Sequence, residues 1–224
     1  MKIKFDLLAN ATDSITQAIA LIAWRDEPDD ARRLKQAVVA VAHGVELLLK
    51  ERLRRVHPVL IWENVDRFPN LSARTVTVDA ALNRLARIGG LKFLRDDTEL
   101  IASLRDTRNA IEHYAWTTTK AEADRIVGQA LEFAVHFART ELSYEFFGFG
   151  THKDGTFEDL LESNSHFANA IQDRNNKTAR ATDESNVLCE YCHALAVHPT
   201  TGACTLCGHW NDVGNDVFLD DIPF

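Results

Sequence analysis

The sequence predicts an all-α domain, a bundle of four to five helices, followed by a small cysteine-bearing module built on short β hairpins. Three observations carry this reading. Apolar residues recur at helical spacing through the first 147 of 224 residues. Two segments have the form of helix-opening capping boxes, Asp96 with Glu99 and Thr119 with Glu122. All four cysteines fall between 189 and 207, inside a final 39 residues that carry few helix signals.

The elements follow in order. Residues 5–24, FDLLANATDSITQAIALIAW, combine helix formers with apolar side chains at helical intervals, and RDEPDD at 25–30 interrupts them. Pro28, Asp29 and Asp30 suit the start of a second helix, where acids face the positive end of the dipole. That helix spans 31–57, with one apolar stripe through Leu34, Val38, Val41, Val45, Leu48 and Val56, and Pro58 ends it. The 58–78 segment holds two prolines and no sustained period, so it reads as an irregular connection to a short helix near DAALNRLARI, stopped by Gly89 and Gly90. The Asp96 box opens a helix running through ELIASLRDTRNAIEHYAW, and the Thr119 box opens a long one through AEADRIVGQALEFAVHFARTELSYEFF. TFEDLLESNSHFANAIQDR reads as one further helix and NNKTARATDESN as a polar hinge. The expected organisation is a helical domain over 1–147, an additional helix and hinge over 148–185, and the cysteine module over 186–224.

Composition narrows the function classes. A formal charge of −8 opposes a broad nucleic-acid-binding surface, which needs many Lys and Arg facing one way, but leaves room for a small basic site. The N-terminal segment lacks the apolar run of a signal peptide and no stretch has the length of a membrane span, so the expectation is a cytoplasmic protein with no membrane partner.

The cysteines form two C-x-x-C pairs, Cys189 with Cys192 and Cys204 with Cys207, separated by eleven residues. Each pair is a tight turn that aims two sulfurs at one point, and four thiolates suit one tetrahedral structural zinc ion. Disulfides or unligated thiols are the alternatives, and His193 or His209 could replace a cysteine ligand. From 186 to 224 there is no Lys or Arg, whereas Glu190, Asp212, Asp216, Asp220 and Asp221 are acidic. The module therefore suits protein contact or stability better than phosphate binding.

The segment RDTRNAIEHY, 105–114, is the second place where chemistry concentrates. Its helix carries an apolar stripe through Leu100, Ile101, Leu104, Ile111 and Ala115, and Arg108 falls on that stripe where a leucine is expected. An arginine there is costly unless paired or placed at a shared interface. Asn109 and His113, four apart, stack beside it. An arginine followed at this range of spacings by a histidine occurs about twice by chance in a chain of this composition. It occurs here twice, at Arg52 with His57 and at Arg108 with His113. The first is a decoy, with Leu53 after the arginine and Pro58 after the histidine.

The second match, Arg108-Asn109-x-x-x-His113, resembles the signature of the HEPN (higher eukaryotes and prokaryotes nucleotide-binding) superfamily, an arginine, four to six residues and a histidine. A polar Asn directly after the arginine, a place in the penultimate long helix, and the earlier segment HGVELLLKERL at 43–53 extend the resemblance over about residues 5–147. It implies a metal-independent endoribonuclease with a composite site across a two-fold homodimer interface. His113 would move a proton at the 2′-hydroxyl or the leaving 5′-oxygen, Arg108 would hold the scissile phosphate, and Asn109 would orient one of these groups. Arg105 is the candidate substrate-positioning residue. The products would be a 2′,3′-cyclic phosphate and a 5′-hydroxyl end.

The family's settings imply a toxin or anti-phage defence effector with an antitoxin or defence-system partner protein. One subfamily has a tyrosine, modified by its antitoxin, two residues after the histidine; here Ala115 holds that place and Tyr114 precedes it. The alternative function is a non-catalytic HEPN-type adaptor that recruits proteins through the dimer and the acidic module. Plainer readings stand beside these. Arg108 could be a buried ion pair with Glu46 or Glu112, and Glu46 with Lys50 a helix-surface pair. Tyr144, Phe146, Phe147 and Phe149 read as core or interface rather than as a base-stacking platform.

Overall fold

The computed structural model describes residues 4–24, 31–147, 156–182, 187–191, 195–199, 201–204 and 209–213. The chain is mostly helical, as predicted, with one two-stranded sheet among these residues. The predicted starting turn of the second helix, Pro28 to Asp30, lies outside them.

α1 (Leu7–Ala23) opens on Asp6, whose carboxylate accepts the Ala9 N–H at 2.9 Å. α2 (Ala31–Val56) runs to the residue before His57 and Pro58, as the proline requires. These two helices form the most extensive packing among the described elements. Gly44 lets them close: a Cβ there would lie 2.5 Å from Ile15 Cδ1.

The 58–77 connection contains two short 3-10 turns, Pro58–Ile61 and Val65–Arg67, and leads to α3 (Val78–Arg87), capped by Thr77. α3 ends as expected before Gly89 and Gly90, the latter at φ 72°, a conformation that glycine adopts without strain.

α4 (Arg95–His113) and α5 (Lys120–Leu142) complete the core against α2. Its centre is made by Leu48, Leu49 and Leu53 of α2, Leu85 of α3, Ile101 of α4 and Leu131 of α5, all buried.

Three element boundaries differ from the predicted ones. Asp96 does not cap α4: Leu94 occupies the cap without a side-chain bond, and Asp96 and Asp97 sit in the first turn, where their charge meets the helix dipole directly. α4 also stops at His113, so Ala115 and Trp116 are not helical. The Thr119 cap is as predicted, with its hydroxyl accepting the Glu122 N–H at 3.2 Å, but α5 ends at Leu142, before the aromatic run. Ser143 takes the left-handed conformation there (φ 53°), a common helix stop. Phe146 and Phe147 are buried and Tyr144 stacks edge-on with Phe146; Phe149 lies outside the described residues.

The single helix expected after residue 155 is two, α6 (Thr156–Ser163) and α7 (Ser165–Thr182), and α7 takes in much of the expected hinge. Asn164 causes the break. Its side-chain oxygen accepts the Phe167 N–H at 3.0 Å, capping α7, and its amide donates to the Asp124 carbonyl of α5 at 3.0 Å. α6 packs on α1.

The chain divides into two compact units. One comprises residues 1–146 and 154–170; the other comprises 147–153 and 171–224. In the second, β1 (Val187–Leu188) pairs antiparallel with β2 (Leu195–Val197), and bridges join Val197 to Cys204 and Ala203 to Trp210.

Candidate functional site

The two Arg–His matches have different surroundings. Arg52 Nε pairs with Glu141 at 2.9 Å, which ties α2 to the end of α5. His57 Nδ1 accepts the Val59 N–H at 3.2 Å and caps the Pro58 turn. Both side chains of the decoy thus have ordinary structural work.

The second match lies where the buried stripe of α4 comes to the surface. Asp97, Ile101 and Leu104 are buried; one turn on, Arg108, Asn109 and Ile111 are half-buried, and His113 is 65% exposed in its side chain. Arg105, Arg108, Asn109, Glu112 and His113 share one side of the helix through their three- and four-residue spacing.

Arg108 lies between two carboxylates. Its Nε is 3.1 Å from Glu112 and its Nη1 is 3.7 Å from Glu46 of α2. The Nε–H is buried without a well-aimed acceptor, so the contact with Glu112 is one of charge rather than a directed hydrogen bond. Glu112 in turn stands 4.0 Å from His113 Nε2.

On the α2 side, Glu46 accepts from Lys50 Nζ at 2.6 Å, and Lys50 also donates to the Thr75 hydroxyl at 2.8 Å. Lys50 is only 7% exposed and Glu46 is half-buried, so the pair read from the sequence as a helix-surface pair is partly buried. Contiguous polar contacts therefore run from Thr75 through Lys50, Glu46, Arg108 and Glu112 to His113. Glu46, Lys50 and Glu112 gained no site role from spacing alone, although the two acids were foreseen as Arg108's partners.

Arg105 is engaged elsewhere. It pairs with Asp79 of α3 and with Asp106, the latter at 2.8 Å, and the bonds to these carboxylates, Asp106 first, hold its guanidinium above its ordinary pKa. It pins α4 to α3, and a phosphate would have to compete with both acids.

In the other unit, Cys189 follows β1 and Cys204 faces Val197 of β2; both are buried. Asn211 is 2% exposed: its side-chain oxygen accepts the Glu190 N–H at 2.7 Å, and its amide donates to the carbonyls of His209 at 3.1 Å and Gly202 at 3.3 Å. The backbone beside Cys189 is thereby tied to the backbone near Cys204. The other two proposed ligands, Cys192 and Cys207, and His193 lie outside the described residues, as does the tail from 214. His209 stacks on Tyr191 at 5.1 Å between ring centres.

No protein-family model, curated protein or solved structure matches the chain. No helix among the described residues is long and apolar enough to cross a membrane.

Proposed function

We propose that the chain is a HEPN-type endoribonuclease, a toxin or anti-phage effector that cleaves RNA by 2′-hydroxyl attack in a site shared by two copies. The observation that carries this reading is the surfacing of the α4 stripe, which places Arg108, Asn109 and His113 together at an uncovered helix end. Exposed His113 offers an imidazole that would take up or release a proton at the reacting oxygens. Arg108 supplies a permanent charge for the phosphate, and its two carboxylate partners keep the guanidinium in place until phosphate displaces one of them.

The partly open stripe and the adjoining Tyr114, 82% exposed, suit burial against a second copy. Cys189, Cys192, Cys204 and Cys207 would hold a structural zinc ion, which fixes a unit too small for a large core. It enters no step of the cleavage.

The adaptor alternative has one observation in its favour: Arg108 is already matched by Glu46 and Glu112 within one chain. RNA cleavage in the presence of EDTA separates the two. The ribonuclease reading expects cleavage that falls by at least about 10²-fold in both His113→Ala and Arg108→Ala. No cleavage, or cleavage indifferent to both substitutions, supports the adaptor.

A further inference from the structure

Resting on the ribonuclease reading, we infer that the 62–75 connection is a second RNA site, which grips single-stranded RNA beside the scissile bond through Arg67, Arg74 and Phe68. The chain is acidic overall, yet residues 52–95 hold nine Arg and Lys against three Asp and Glu, a local net charge of +6. Most of these cations have partners. Arg52, Arg54 and Arg55 are paired with acids, and Arg84 donates to the carbonyls of Leu60, Trp62 and Glu63.

Arg67 and Arg74 differ: their side chains, like those of Arg87 and Lys92, have no ion pair or hydrogen bond among the described residues. Both line one surface concavity, together with Asn64, Asn70, Ser72 and Glu63. Phosphate is the ligand that two unpaired arginines and two side-chain amides favour. Glu63 opposes it and keeps the site weak and salt-sensitive.

The connection is built to be rigid. Trp62 is buried and donates to the Asn70 carbonyl at 2.9 Å, and Phe68 sits edge-on against it at 5.1 Å. Asn64 and Asn70 close turns on Asp66 and Ser72, and Arg84 clamps the segment from α3.

On this frame Phe68 remains 44% exposed and Leu71 92% exposed, next to the arginines. One exposed ring flanked by two cations suits an unstacked base and its neighbouring phosphates, the form of single strands rather than duplexes. The connection also joins the first site, because Thr75, next to Arg74, accepts from Lys50, which pairs with Glu46, the partner of Arg108.

The test is fluorescence anisotropy with a labelled oligouridylate of about 12 nucleotides, long enough for one groove. The full chain carries His113→Ala to prevent cleavage. Arg67→Ala with Arg74→Ala should weaken binding about tenfold and reduce the salt slope by roughly 1–1.5, near 0.7 per lost phosphate contact. Arg67→Lys with Arg74→Lys should keep most of that slope, Phe68→Ala should cost at least about fivefold, and Lys120→Ala should change little. Neither guanidinium is bonded to a described residue, so circular dichroism should show the arginine variants folded.

Binding indifferent to the loop substitutions, equal binding of a duplex, or displacement by an acidic peptide but not by unlabelled RNA overturns the inference. Loop-dependent binding without cleavage by the unsubstituted chain upholds this site and rejects the ribonuclease reading. His113-dependent cleavage with KM unchanged in the loop variants does the reverse.

Discussion

At the scale of single residues, charged groups are buried in matched sets. Glu46 lies between Lys50 and Arg108, so its removal leaves two cations facing each other. Glu46→Ala should destabilise the fold by about 2–3 kcal/mol, below the 3–5 of a fully buried pair because Glu46 is partly exposed. Lys50→Met, which keeps the stem's packing and leaves Glu46 to Arg108, should cost less in a urea titration.

Glu51 makes a second set. Burial pushes its carboxyl up, but hydrogen bonds from Arg54 and Arg55 outweigh that and leave it below the ordinary value of 4.5. With a folded pKa below the unfolded one, its stabilisation is present above pH 4.5 and is lost as pH falls through the folded value. Glu51→Gln should thus be destabilised at pH 7 by about 1–3 kcal/mol, as for a lost charged hydrogen bond. The gap from the unsubstituted chain should narrow in denaturant titrations on acidification.

At the scale of elements, the contact of α5 with the break between α6 and α7 makes a sharp prediction. Alanine normally favours a helix over glycine by about 1 kcal/mol. At Gly128, however, a Cβ would lie 2.3 Å from Asn164 Oδ1 and 2.7 Å from the Phe167 backbone nitrogen. Gly128→Ala should therefore destabilise by about 1–3 kcal/mol, measured by chemical denaturation; a gain would show that Asn164 does not cap α7 as described.

The same element shows what could be read from the chain. Long helices with periodic stripes and Thr119 in its cap announce themselves locally, and so does the stop at Pro58. The split at Asn164 does not, because its amide answers to a carbonyl of Asp124, forty residues earlier. Asp96 failed as a cap because an acid in the first turn satisfies the dipole as well as one at the cap. The position of Arg108 in the stripe was legible from spacing; that Glu46 would meet it was one of two options, since 62 residues separate them. The unpaired Arg67 and Arg74 were hidden in a connection without period, whose shape depends on Trp62 and on Arg84 of another element.

At the scale of the whole molecule, the proposed site needs a second copy. Sedimentation should give about 50 kDa, twice the 25.2 kDa chain, and Tyr114→Arg should shift the protein toward the single chain. The cysteine unit should hold about one zinc per chain. Mercurial release of that metal should lower the protein's melting temperature while His113-dependent cleavage persists at temperatures where the helical unit stays folded.

The most direct test of RNA cleavage through 2′-hydroxyl attack is end-group analysis of RNA incubated with the purified protein in EDTA. The expected products carry 2′,3′-cyclic phosphate and 5′-hydroxyl ends, both absent with His113→Ala. Ends bearing 5′-phosphate and 3′-hydroxyl, or cyclic phosphate still formed by His113→Ala, would contradict it.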